Sequence, residues 1–66
     1  MSDFITRLEQ EQQELQIKID ALESFMNDND AFVQVGVGQN ILLKNQVSAM
    51  RSYNEILIVR LSLLRK

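Results

Sequence analysis

The sequence predicts an all-α protein, an antiparallel two-helix hairpin of coiled-coil type that assembles into a homo-oligomeric helical bundle. Three observations lead there. Apolar residues recur at alternating steps of three and four in both halves of the chain, proline is absent, and the only glycines, Gly36 and Gly38, lie between the halves. A single domain over residues 1–66 follows, with a helix over about 2–27, a connection over about 28–39 and a helix over about 40–65.

The first helix carries its apolar stripe at Met1, Ile5, Leu8, Leu15, Ile19, Leu22 and Met26, interrupted once by Gln12. Ser2 is placed to cap it, and Asp3 suits the positive end of its dipole. The connection opens on Asn27-Asp28-Asn29-Asp30 and runs to Asn40. Within it, Val33, Val35 and Val37 alternate with Gln34, Gly36 and Gly38, which has the period of a strand but is too short and too glycine-weakened to form one. A loop is expected, with Phe32 tucked against the end of the hairpin. Gly36-Val37-Gly38 reads as a hinge, because a phosphate-binding loop would need a preceding strand, a third glycine and a following Lys-Ser/Thr. The second helix repeats the stripe at Leu43, Val47, Met50, Leu57, Leu61 and Leu64, with Asn54 as its one polar interruption, and ends on Arg65 and Lys66 at the negative end of its dipole.

A fold-back near Val33 sets side by side those positions whose numbers add to about 66, and Gln12 and Asn54 are such a pair. Two amides meeting in an apolar seam hold helices in one register. The other reading is that both amides hydrogen-bond a ligand.

Net charge is −2, divided unevenly. Residues 1–26 carry −4 and residues 40–66 carry +4. Opposite charge on two helices that must pack together favours their pairing. It also offers a basic second helix to an anionic ligand. A DNA or RNA polymer is not the expected partner, since the chain as a whole is acidic. Cysteine and histidine are both absent, which removes disulfides, the usual zinc ligands and the common nucleophile–base pairs. Ser24, Ser48, Ser52 and Ser62 have no general base of suitable type beside them, and Glu11 with Glu14 reads as a solvated face. No catalytic residue, metal or cofactor is expected, and the protein is read as a non-enzyme. The longest apolar runs, Ile41-Leu42-Leu43 and Ile56-Leu57-Ile58-Val59, are far short of the roughly 20 residues of a membrane span. The acidic Met1-Ser2-Asp3 start leads into no signal-type apolar segment, so the expected location is the cytosol.

Self-association is expected because a hairpin needs one apolar stripe per helix and this chain has more. Leu42, Ala49, Ile56 and Leu63 repeat every seven residues off the main stripe, joined by Ile58 and Val59. Phe4, Ile17 and Phe25 lie off the stripe of the first helix. A chain this short is marginal alone, and such surfaces call for partner copies.

One heptad position of the first helix reads Phe4, Glu11, Lys18, Phe25, and a flank of the second reads Gln46, Tyr53, Arg60. Flat rings and cations suit a nucleotide, with stacking on the base and charge on the phosphate. The same residues serve equally as interface core, with Lys18 at its rim and Tyr53 wetting its hydroxyl. Phe4 and Lys18 stand about 21 Å apart along one helix at 1.5 Å per residue, so a small ligand held by both must lie between subunits.

Arg7-Leu8 followed by Glu9-Gln10-Glu11-Gln12-Gln13-Glu14-Leu15, then Ile17-Lys18-Ile19, Leu22 and Phe25, resembles a known family, as do Leu42-Leu43, Gln46, Ala49-Met50, Tyr53, Ile56-Leu57 and Arg60-Leu61. The family is that of the phage helical-hairpin nucleotide sponges, the anti-CBASS and anti-Thoeris hairpin proteins and small proteins related to crAss-like phage products. The resemblance runs over nearly the whole chain. It implies a homo-oligomer, often a hexamer, that sequesters cyclic-oligonucleotide or cyclic ADP-ribose-type immune signals without cleaving them, in the cytosol of an infected bacterium. It further implies that Phe4 stacks on a base, that Lys18 grips the ligand and that Arg60 lines a second type of site. Here a phenylalanine stands at the stacking position, without a tyrosine's hydroxyl, and its spacing to the lysine is one residue shorter than in the family. The candidate ligand-binding set is accordingly Phe4, Lys18, Phe25, Arg51, Tyr53, Asn54 and Arg60, with Arg51 as a further phosphate partner and Asn54 as a polar contact. The rival readings are a coiled-coil assembly module without a small ligand and an inhibitor that docks its apolar stripe on a host protein.

Overall fold

The computed structural model describes residues 2–65 and, of the side chains, those from Asp3 to Arg65. The stripe position Met1 and Lys66 lie outside the described residues, and the Ser2 side chain expected to cap α1 lies outside the described side chains. The described residues form three helices: α1 over Ser2–Asn27, α2 over Asn29–Gln34 and α3 over Val37–Leu64. The molecule is a rod of 46 × 14 × 14 Å.

α1 ends where Asp28 leaves the helical region, at φ −87° and ψ 95°. The Asp28 carboxylate then accepts a hydrogen bond from the backbone N–H of Ala31 at 3.3 Å, and its carbonyl accepts one from Phe32 at 2.9 Å. Asp28 is thus the cap that starts α2. The connection differs from the expected loop in this respect, because residues 29–34 are helical and α3 begins at Val37, ahead of residue 40. The valine alternation had no second strand to pair with, whereas the capping carboxylate satisfies an amide at once. Between α2 and α3, Gly36 adopts φ 93°, the only positive φ among the described residues. Glycine reaches that region without a Cβ penalty, so the chain reverses there. Asp28→Ala is expected to destabilise α2 by about 1 kcal/mol, read as roughly fivefold faster amide hydrogen exchange at Ala31 and Phe32 with the centre of α1 unchanged.

α1 and α3 lie side by side and run in opposite directions. Gln12 Nε2 donates to Asn54 Oδ1 at 3.1 Å, and Asn54 Nδ2 donates to Gln16 Oε1 at 2.8 Å. On either side of this triad the two helices are linked by Arg65 with Glu9 and by Arg51 with Glu23. These ion pairs join the acidic helix to the basic one, but both are exposed, which limits each to about 0–1 kcal/mol. Apolar packing contributes more. Leu8, Leu57 and Leu61 form a buried cluster against which Ile5 and Leu15 pack. Beyond the amide triad, Ile19 and Val47 are buried as well. Leu64, expected in the stripe, is 42% exposed.

At the other end of the rod, Phe32 stands edge-on to Phe25, with ring centres 6.4 Å apart and planes at 76°. The Lys44 ammonium lies over the Phe32 ring at 5.8 Å from its centre. No helix among the described residues is long and apolar enough to cross a membrane.

Candidate functional site

Residues three, four and seven apart on a helix share a face. Phe4, Arg7, Leu8 and Glu11 are spaced in this way, and α3 lays Arg60 against them. Together the five line an open groove of about 300 Å³ near the free ends of the helices. A second groove of about 230 Å³ adjoins it, lined by Phe4 and Arg60 again but now with Leu63 and Leu64. Phe4 and Arg60 therefore stand at the shared wall of a polar groove and an apolar one.

Phe4 is 47% exposed, so part of its ring is open to a flat partner. Arg7 donates from Nε to the Asp3 carbonyl at 3.4 Å, which leaves its terminal nitrogens uncommitted to that bond. Glu11 is engaged by the Tyr53 hydroxyl, which donates to it across the helix pair. Among the described residues no carboxylate lies within ion-pairing distance of Arg60 or Lys18. The groove thus combines an aromatic face, two guanidiniums and one carboxylate that already has a donor. An anion with a planar ring system matches that set better than a cation does. Among the described residues no three acidic side chains gather as a metal site would require.

The predicted site residues fall in several places. Phe4 and Arg60 meet in the groove, and Tyr53 touches it through Glu11. Lys18 is exposed farther along α1 and is not brought to Phe4 within one chain. Phe25 is half-buried against Phe32 at the opposite end. Arg51 is held by Glu23 beside a separate groove that Met26 and Asn27 complete. Asn54 is 7% exposed, and its amide is bonded through both oxygen and nitrogen to Gln12 and Gln16. Arg7 and Glu11 were not among the predicted contacts. The helical spacing of Arg7 from Phe4 carries that signal, whereas the contribution of Arg60 to the same groove depends on how α3 crosses α1.

In this groove an exposed aromatic ring stands beside positive charge that no carboxylate pairs. Compared with known proteins, no curated protein and no solved structure matches the chain. Residues 2–63 match the model of one protein family, described as Sequestin.

Proposed function

The chain belongs to the Sequestin family, and on that premise we propose that it is a phage-encoded, homo-oligomeric protein that sequesters cyclic nucleotide immune signals without cleaving them. The family name speaks of sequestering and fits the nucleotide-sponge resemblance of the sequence. The observation that carries the reading is the groove in which a half-exposed Phe4 stands beside Arg60 and Arg7. A base stacks on the ring while the guanidiniums hold phosphate oxygens, and such a cation is able to grip phosphate in two places at once. Cyclic oligonucleotides and cyclic ADP-ribose-type molecules both offer this combination of flat base and clustered phosphate. Lys18 reaches the ligand from a neighbouring copy of the chain, as its distance from Phe4 along α1 requires. Arg51 and Phe25 belong to the opposite end and serve a second subsite there, and Tyr53 with Asn54 keeps the groove wall in place. The protomer is a helical hairpin, the assembly a hexamer of hairpins in the host cytosol.

Thermal melting and calorimetry against cyclic dinucleotides, cyclic trinucleotides and cyclic ADP-ribose isomers test this reading. A bound ligand raises Tm by mass action. Phe4→Ala is expected to weaken binding by about 1–3 kcal/mol, the usual worth of one base stacked on an aromatic ring. Arg60→Glu and Lys18→Glu are expected to abolish the Tm shift. The ligand recovered from denatured protein should be chemically intact. No shift with any ligand of the panel removes the proposal, and a cleaved ligand removes its non-catalytic half.

A further inference from the structure

The side of α3 turned away from α1 is unusual in carrying no charge. At 3.6 residues per turn, the face opposite buried Val47, Asn54, Leu57 and Leu61 is occupied by Ile41 and Leu63 at its ends, Asn45 and Val59 inside them, then Ser48 and Ile56, and Ser52 at the centre. None of these is ionisable, although 24% of the whole chain is charged. All are exposed in the single chain, with Ile41 at 55%, Ile56 at 56%, Val59 at 52% and Leu63 at 61%.

The spacing of these residues is symmetric about Ser52, with the large apolar side chains at both ends. Ser52 lies midway between Ile41 and Leu63, between Asn45 and Val59, and between Ser48 and Ile56. A second α3 laid antiparallel on the first therefore sets Ile41 against Leu63, Ser48 against Ile56, and Ser52 against itself. Large side chains meet large ones at the ends, while each Ile56 enters the space above a serine. This is what a two-fold contact demands, since residue i must suit residue j in both directions. The Ser52 hydroxyl already donates to the Ser48 carbonyl at 3.2 Å, so its donor is satisfied on its own helix when the face is covered.

The charged flank agrees with the same register. Glu55 has no hydrogen-bond or ion-pair partner among the described residues, and antiparallel pairing about Ser52 brings it near Arg51 of the second copy, whose half-exposed guanidinium has donors beyond the one it gives Glu23. The two-fold axis repeats that contact, so the flanks attract.

We propose that α3 pairs antiparallel with α3 of a second copy of this chain, through its uncharged outer face, about a two-fold axis at Ser52. Ile41 of the second copy then lies against Leu63 and closes the apolar end of the groove shared by Phe4 and Arg60. The pairing stands whether or not that groove binds a nucleotide.

The absence of cysteine makes the test clean. Single-cysteine variants are oxidised at micromolar concentration and the products separated without reductant. Ser52→Cys is expected to form a disulfide dimer in high yield. Asn45→Cys mixed with Val59→Cys is expected to give the mixed dimer at several times the yield of either alone, because positions 59 of the two copies lie about 21 Å apart along an antiparallel pair. Efficient dimerisation of Val59→Cys with itself would establish parallel pairing and overturn the proposal, as would the absence of any Ser52→Cys dimer. Independently, Ile56→Glu is expected to lower the mass of the assembly at least twofold in light scattering while the helical circular dichroism persists. An unchanged mass for a folded Ile56→Glu protein overturns the proposal too.

Discussion

Leu57→Ala is expected to remove most of the stability of the protomer. The Leu57 side chain is 0% exposed and sits in the cluster with Leu8 and Leu61. Truncating a buried leucine forfeits its transfer free energy and leaves a cavity, together about 2–5 kcal/mol. A chain of this length has on the order of 3–10 kcal/mol to lose, at 0.05–0.15 kcal/mol per residue. Denaturant unfolding followed by circular dichroism should therefore show a midpoint far below that of the unsubstituted chain, and at the lower end of that range a chain already unfolded in buffer. Val33→Ala is the control, since Val33 is 72% exposed on α2 and its truncation should change stability by less than about 0.5 kcal/mol. A Leu57→Ala protein as stable as the Val33→Ala protein would mean that the α1–α3 packing described above does not hold the molecule together.

Asn54→Ala is expected to produce the other large effect, by a different route. Asn54 satisfies Gln12 on one side and Gln16 on the other. Its removal leaves the half-buried Gln12 amide without its partner in the seam, and a fully buried polar group left so costs about 1–3 kcal/mol, which sets the upper bound here. The double variant Gln12→Leu with Asn54→Leu should behave in the opposite way. Two leucines in the seam leave Gln16, which is half-buried, free to turn toward water, and they restore or exceed the original stability. What the double variant loses is a single register. A leucine seam packs nearly as well when one helix slides by a heptad, so its amide NMR spectrum should show doubled or broadened peaks along α1 and α3. A sharp single set of peaks would mean that loop length and the flanking ion pairs fix the register without the amides.

That pair of amides also marks how far the sequence reaches. Residue spacing by itself determined that the chain is helical, that Leu8, Ile19, Val47, Leu57 and Leu61 turn inward and that Gln12 meets Asn54. Each of these follows from a period of 3.6 residues, an absence of proline and one place to turn, which are local properties that tertiary contacts had no reason to override. The six-residue helix α2 was hidden because the valines around it carry strand period, and only the closure of the Asp28 cap onto Ala31 decides between the two. Gln16 was hidden because a glutamine facing a seam edge has the same sequence signature as one facing water.

The groove shows the same division. Phe4 and Arg60 stood out in the sequence as an aromatic and a cation at heptad positions, and the fold-back near Val33 sets them at about the same level, but residue order did not say that their side chains share one wall. Their meeting depends on how far α3 runs along α1, which the turn at Gly36 and the Gln12–Asn54–Gln16 triad set together. Helix content and stripe are fixed by near neighbours along the chain, and the register by an amide pairing that the spacing of the stripe makes legible. Which side chains converge on a ligand-sized space depends on distances between residues fifty or more positions apart, and only packing sets those.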